Sequence, residues 1–199
     1  MSVKNYTSRD RVEALMLTTI EADWQDSFNI FLESAENYID TFTGRNFVAD
    51  TEYSAKVFDG SGSKQLILPD LVEIENITLT VSDDSEEVLT TSQFYSYPAN
   101  KTPKNRIVID TDLVTYYFYK GQQNISVSAK WGYSVAVPKE IELAASIIMA
   151  GIINYAYEHN SEVVSEGIDD YNVTYNRKED WVKYERAIEI LKKYKKISF

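Results

Sequence analysis

The 199-residue sequence contains no cysteine and only one histidine, His159. The absence of cysteine excludes disulfide bonds, thiolate metal ligands and a cysteine nucleophile, and it is compatible with a reducing cytoplasm. A single histidine restricts catalysis, because imidazole is the usual general base near neutral pH and the commonest metal ligand. His159 follows a strongly apolar segment, and we interpret it as a helix-end residue.

Glycine and proline are also scarce, with 7 and 4 copies, which argues against long flexible linkers. Residues 1–10 contain no apolar run, so we expect no signal peptide. The most apolar segment, residues 141–157, is interrupted by Glu142 and is too short to cross a bilayer. We therefore expect no membrane association and synthesis in the cytoplasm.

Basic residues are outnumbered, 20 against 31 acidic residues, which gives a net charge of -11. Affinity for DNA depends on Lys and Arg that displace counterions from phosphates. The composition therefore argues against tight nucleic-acid binding, and it leaves open a surface past which DNA moves without being held.

Aromatic residues are abundant, with 15 Tyr, 8 Phe and 3 Trp. Tyr and Trp occur in cores, and both also anchor protein interfaces. The excess favours a protein that assembles with other subunits, and the alternative that all of it is core stays open.

The first block, residues 7–44, has helical periodicity. Thr7 is a candidate N-cap, with Asp10 three residues later. Gly44 stands where a left-handed C-cap is needed. Between them, a single apolar stripe predicts one long helix: Trp24, Phe28, Phe31, Ala35, Tyr38, Ile39 and Phe42.

The second block, residues 46–133, alternates apolar and polar residues, which predicts five to seven antiparallel strands with one packed and one wet face. The expected breaks are a turn at residues 59–62, Pro69-Asp70 at the end of a short strand, an acidic tip at residues 83–87 and a hairpin loop at residues 120–124.

The third block is helical again. Pro138 suits a first helical turn, and residues 141–153 are apolar on nearly all sides, which predicts a helix buried on several faces. Residues 161–175 are expected to be extended. The last helix has an apolar stripe and a basic end: Trp181, Tyr184, Ile188 and Leu191, then Lys192, Lys193, Lys195 and Lys196.

This order predicts an α+β protein. A small helical bundle is made from both chain ends, residues 1–45 and 134–199, and an antiparallel β module is inserted at residues 46–133. No internal repeat is visible.

Candidate chemistry is weak throughout. The cluster of Asp83, Asp84, Glu86 and Glu87 lacks the alternating ligands, central Gly and closing Glu of a calcium loop. Asp169-Asp170 has no matched partner carboxylate for glycoside hydrolysis. Residues 59–64 resemble a phosphate loop only faintly and precede a strand. We therefore expect no catalytic, cofactor or metal residues, and a protein that is not an enzyme.

The aromatic run at residues 116–119 is predicted to be a strand, with Tyr117 and Tyr119 on one face and Tyr116 and Phe118 on the other. A core on one side and a subunit interface on the other would explain both faces. A carbohydrate-binding or other surface-recognition β module is the alternative function.

Six segments, taken in order, together resemble the head–tail connector (adaptor, head-completion) proteins of long-tailed bacteriophages: residues 35–47, 58–62, 66–71, 131–133, 137–141 and 165–175. The first contains Asn37-Tyr38-Ile39-Asp40, the fourth is Trp131-Gly132-Tyr133, and the resemblance extends from about Thr7 to Leu191.

The resemblance implies a structural virion protein of the neck, made in the bacterial host cytoplasm. It would form a homo-oligomeric ring, usually of twelve subunits, that docks on the portal protein, extends the DNA channel and receives a tail or stopper neck protein. DNA would pass through without sequence-specific binding. The portal-binding residues would lie at the carboxyl end: Lys192, Lys193, Lys195, Lys196 and Phe199.

Overall fold

The computed structural model describes residues 4–82, 85–160 and 177–196. Four α-helices and six strands occur in this part of the chain. The helices are α1 (Arg9–Met16), α2 (Gln25–Thr43), α3 (Lys139–Asn160) and α4 (Arg177–Tyr194). The strands are β1 (Ser54–Gly60), β2 (Gln65–Ser82), β3 (Ser85–Thr90), β4 (Phe94–Tyr97), β5 (Lys104–Ile109) and β6 (Gly121–Trp131).

The chain divides into two compact units. Residues 1–44 and 137–199 form the helical unit, and residues 45–136 form the β unit. The six strands make one antiparallel sheet, and helices lie near both chain ends, so the predicted α+β class is confirmed. That the two parts are independent domains, with the boundaries expected from the sequence, remains a prediction.

Helix α3 is the centre of the helical unit and packs against α1, α2 and α4. Six consecutive residues, 144–149, are buried. A helix buried on consecutive positions must be surrounded by neighbours, which agrees with its apolar residues on nearly all sides. No helix in the described part of the chain has both the length and the apolar character needed to cross a bilayer.

Helix α2 ends where the sequence predicts, because Gly44 has a φ of 68° and its N–H donates to the Asp40 carbonyl at 2.7 Å. Its buried face differs from the predicted stripe by a small rotation. Leu32 and Glu36 are buried, whereas Phe31 and Phe42 are half-buried and Tyr38 is exposed. Phe31, Tyr38 and Phe42 therefore mark the border of this face, whereas Phe28 is buried within it.

The predicted cap at Thr7 is wrong by one residue. Ser8 is the N-cap of α1, and its side chain makes no capping hydrogen bond. Thr7 is instead buried, with its hydroxyl 2.6 Å from the Ser146 hydroxyl of α3. A short polar side chain beside a helix start predicts a cap, but here it stabilises the packing of α3 against the segment before α1.

The sheet has the order β1-β6-β2-β5-β4, with β3 also paired to β2. On its packed face, a single core contains inward residues of β2 to β6, among them Leu71, Ile77, Leu89, Ile107, Val127 and Trp131, and Phe58 of β1 packs against it. Opposite residues of paired strands share a face, so Ser126 and Ser128 of β6 lie on the other face, beside Val57 and Ala55 of β1.

The prediction that Pro69-Asp70 ends a strand is wrong, since β2 continues through both residues. The proline lies where the pairing with β5 shifts register, between Ile67 and Leu71, so its missing N–H interrupts no regular ladder. Proline is tolerated in a strand at such an irregularity, which a one-dimensional pattern does not reveal.

Two further predictions in the β unit are wrong. Residues 120–124 are not a hairpin loop, because β6 already begins at Gly121 and pairs there with Gly60. Residues 116–119 are not a strand, since only Phe118 makes an isolated bridge, to Ser63. The Asn124 side chain bridges this region, accepting from Gly60 N–H at 2.9 Å and donating to the Tyr119 carbonyl at 2.8 Å.

Candidate interaction surfaces

The carboxyl end of α4 is held against the start of α3. Lys193 Nζ lies 3.2 Å from Glu140 Oε1, and the Tyr194 hydroxyl donates to Glu140 Oε2 at 2.9 Å. The hydrogen bonds from Tyr194 and then Lys193 lower the pKa of the Glu140 carboxyl. Lys193 is therefore engaged within the helical unit, although its side chain remains largely exposed.

The next two lysines lie beside the end of α2. Lys195 Nζ is 5.4 Å from the centre of the Phe42 ring, and the Lys196 N–H donates to the Thr43 carbonyl at 2.7 Å. Lys192 is exposed on the last turn of α4. The structure thus brings the four predicted lysines to one end of the helical unit, while Phe199 lies outside the described residues.

An apolar groove of about 530 Å³ opens between α2, α3 and α4. It is lined by side chains from all three helices, including Ala35, Tyr38, Ile148, Ile152 and Tyr184. Burial, together with a hydrogen bond from the Tyr184 hydroxyl to Tyr38, raises the pKa of Tyr184, so this phenol stays neutral. The groove offers apolar contact area with hydroxyl groups at its rim.

Gly151 lies on the floor of this groove, in the middle of α3. A Cβ added there would meet no described atom within 4 Å, so no neighbour in the chain requires the absence of a side chain. Glycine inside a helix is unfavourable relative to alanine, and an unexplained glycine marks a position where another surface can approach closely. Gly151 was not identified as a candidate from the sequence, although a glycine inside a helical segment can be recognised in it.

A second groove, of about 340 Å³, shares Gly151 and Tyr184 with the first and is lined by the end of α1, the middle of α3 and part of α4. Leu17 borders it and is 92% exposed, with a left-handed backbone at φ 56°. A leucine at a left-handed cap is strained where glycine would not be. Exposure and strain together make Leu17 a second apolar contact candidate that the sequence did not indicate.

The aromatic run at residues 116–119 contributes mainly to the core. Phe118 is fully buried, and Tyr116 packs against the same core while its hydroxyl is hydrogen-bonded to Glu87, which raises the pKa of that phenol. Tyr117 is the exposed member, with Lys64 Nζ at 5.9 Å from its ring centre. With one exposed ring, residues 116–119 offer only a small platform for a sugar.

The outer face of the sheet carries a polar cluster next to Tyr53. Lys130 Nζ lies 3.0 Å from Glu73 Oε2 and 4.7 Å from the Tyr53 ring centre. The hydrogen bonds from Lys130 and Tyr53 lower the pKa of Glu73, and the bond to Glu73 raises that of Lys130. The cluster keeps all its charges near neutral pH, which is typical of a solvated face and not of an acid–base site.

None of the weak chemical candidates gains support. In the described residues, no group of three or more His, Asp or Glu side chains could hold a metal ion. Residues 59–64 join β1 to β2, and a Cβ on Gly60 would lie 1.7 Å from the Tyr119 carbonyl oxygen, so this glycine serves a close backbone approach. Asp83, Asp84, Asp169, Asp170 and the His159 side chain lie outside the described residues.

These features define a two-unit α+β protein whose candidate surfaces are apolar grooves and a basic helix end. Its fold is similar to that of a chain from the neck of an empty GTA particle, a structure computed with C6 symmetry. The TM-score is 0.57 at 11% identity, and the similarity covers 100% of this chain and 94% of the other. At this identity the similarity shows the fold alone. No protein-family model matches the chain, and no curated protein matches it.

Proposed function

We propose that this chain is a structural protein of the neck of a phage-like particle and has no enzymatic role. One observation carries the proposal: the fold is shared with a neck protein along nearly the full length of both chains. Such end-to-end correspondence includes the terminal helices as well as the sheet. A recognition module would be expected to match in the β unit alone.

The proposed assembled form is a homo-oligomeric ring between the portal and the tail. A ring needs heterologous contacts, in which one patch fits a different patch on the next subunit. The two apolar grooves beside Tyr184 and the exposed Leu17 provide apolar area of the kind that interfaces use. The related neck structure has six-fold symmetry, with which a ring of twelve subunits is compatible.

The charge of the chain supports a channel role. A net charge of -11 repels DNA phosphates at long range, so DNA would pass through the ring without being trapped. In this proposal the protein is made in the bacterial host cytoplasm and resides in the virion. One end of the ring contacts the portal, and the other contacts a tail or stopper neck protein.

We place the portal contact at the basic end of the helical unit: Lys192, Lys193, Lys195, Lys196 and Phe199. Lys192 and the side chain of Lys196 suit this role best, because Lys193 already pairs with Glu140 and Lys195 lies over Phe42. The contact would complement acidic groups on the portal.

Negative-stain imaging with mass measurement tests the proposal, on the protein alone and mixed with its portal protein. We expect rings in the mixed sample. A strict monomer that shows no association with the portal would contradict the neck function.

A variant pair tests the placement of the portal contact. Lys192→Glu combined with Lys196→Glu should weaken portal association by roughly tenfold while the thermal unfolding midpoint stays nearly unchanged, since Lys192 is exposed and the Lys196 hydrogen bond to Thr43 uses its backbone N–H. Lys101→Glu with Lys120→Glu, on the β unit, is the matched control with the same change in charge. Equal portal association of both variants would show that the basic end is not the contact.

A further inference from the structure

In the part of the chain that the structure describes, three strands of the β unit have a free edge: β1, β3 and β4. In the described part of the chain, β1 pairs only with β6, and β3 pairs only with β2, on the side of β2 opposite to β6. An unpaired edge strand presents a row of N–H and C=O groups that can pair with another strand. The free edges of β1 and β3 face away from each other, as a head-to-tail contact between copies requires.

The strand directions allow the sheet to continue from one copy into the next. Across the four neighbours β1, β6, β2 and β3, every pairing is antiparallel. Because the number of strands is even, β3 of one copy beside β1 of the next is again an antiparallel neighbour. The lengths also match, with seven residues in β1 and six in β3, whereas β4 has only four.

Side chains at the two edges are complementary when Lys56 stands opposite Glu87. Both lie on the packed face, since Lys56 is opposite Val127 and Glu87 is opposite Leu79. In the same register, Ala55 stands opposite Val88 on the outer face, and Val57 is diagonal to Val88. These two valines are 55% and 56% exposed, and diagonal β-branched neighbours in a sheet stabilise pairing.

Charge and symmetry disfavour contacts that join two copies of the same edge strand. Two β3 strands would bring Glu86 and Glu87 of both copies together, which is repulsive. Two β1 strands would form an isologous contact, which closes as a dimer and leaves no open patch for a third copy. Of these three pairings, β1 against β3 is the one that combines opposite charges with a contact that can propagate around a ring.

We propose that β1 of one copy pairs with β3 of the next, with Lys56 opposite Glu87, so that the sheet runs continuously around the assembled ring. This inference rests on the proposed function, because it identifies the partner of these edges as a second copy of this chain. Glu87 can accept from Lys56 while it is bonded to Tyr116, since a carboxylate has two oxygens.

The absence of cysteine gives a clean background for cross-linking. We expect the full chain carrying Ala55→Cys and Val88→Cys to form a ladder of covalent oligomers on a non-reducing gel after mild oxidation under assembly conditions. The control carries Ile67→Cys and Val88→Cys, because Ile67 is exposed on the long central strand β2 and not at an edge. It should give no ladder beyond dimers.

Charge reversal tests the register. Lys56→Glu or Glu87→Lys alone should weaken assembly by up to about fivefold per contact, and the double reversal should restore it. The proposal is overturned if the edge pair gives no more ladder than the control pair. Imaging of the wild-type chain then separates the two ideas: rings without edge cross-links leave the neck function standing, whereas no rings, with or without portal, contradict both.

Discussion

Gly132 shows how a single residue position can be dictated by its neighbours. It follows the last residue of β6 with a φ of 140°, and its N–H donates to the Asp70 carbonyl at 2.8 Å. A Cβ at this position would lie 2.5 Å from Ala49 Cα and 2.8 Å from the Val48 carbonyl oxygen. Both the backbone conformation and the close approach therefore require glycine.

Replacing Gly132 with alanine should be among the most damaging single-methyl changes in the chain. We expect Gly132→Ala to lower the free energy of unfolding by about 2–4 kcal/mol, since backbone strain adds to the clash with a backbone that cannot easily move. Urea denaturation measures the effect.

Gly151→Ala is the matched control, because its Cβ meets no described atom within 4 Å. It should raise the free energy of unfolding of the unassembled protein by about 0.5–1 kcal/mol, as expected for a helix interior. Equal effects of the two changes would mean that the contacts around Gly132 are not as described.

At the scale of elements, the helices could be predicted because their signals are local. The stripe in α2, the C-cap at Gly44 and the buried character of α3 each depend on residues within a few turns. The rotation of the buried face of α2 towards Leu32 and Glu36 could not be predicted, because it depends on contacts with residues 4–6. There the Glu36 carboxylate accepts the N–H groups of Lys4 at 2.8 Å and Tyr6 at 2.9 Å.

The strands were predicted less well because pairing is not local. The passage of β2 through Pro69 depends on where β5 and β6 pair along it. Likewise, the run at residues 116–119 has strand-like alternation but finds only one bridge partner, at Ser63. The candidate surfaces differ in the same way. The lysines at the end of α4 could be identified from the sequence because they are local, whereas the grooves around Gly151 depend on how several helices pack together.

The rotated face of α2 leads to a prediction at the scale of this helix. Leu32→Ala should lower the free energy of unfolding by about 2–4 kcal/mol, because Leu32 is buried and its truncation leaves a cavity. Ile30→Ala is the control on the same helix, since Ile30 is 65% exposed and its truncation should cost within about 0.5 kcal/mol. Thermal and urea unfolding of both variants measure the difference. A larger loss of stability for Ile30→Ala than for Leu32→Ala would show that the buried face of α2 is assigned wrongly.

At the scale of the whole molecule, the β unit has the features of an inserted module. Its two ends meet, because the Tyr133 N–H donates to the Asn46 carbonyl at 2.8 Å and Val48 forms a bridge with Ser134. Its core is built from residues of its own strands and of the segment at residues 114–118. A unit whose ends lie close together and that has its own hydrophobic core can be inserted into another unit.

We therefore expect residues 45–136 to fold when expressed alone. Trp131 is the only tryptophan in this range, and it is buried, with its indole N–H donating to the Ser54 carbonyl at 2.8 Å. Its fluorescence should be blue-shifted in buffer and should move to longer wavelength in one cooperative urea transition. Residues 45–120, which lack β6 and Trp131, form the matched fragment and should show no β-sheet circular dichroism, because β6 pairs with both β1 and β2.

The same fragment separates assembly from recognition. If residues 45–136 fold but bind no glycans, the sheet serves the assembled particle together with the helical unit, as the neck function requires. Glycan binding by the isolated fragment would instead favour a recognition module. A fragment whose Trp131 emits at the wavelength of exposed indole in buffer would show that the sheet depends on the terminal helices, and the predicted domain boundaries would then be wrong.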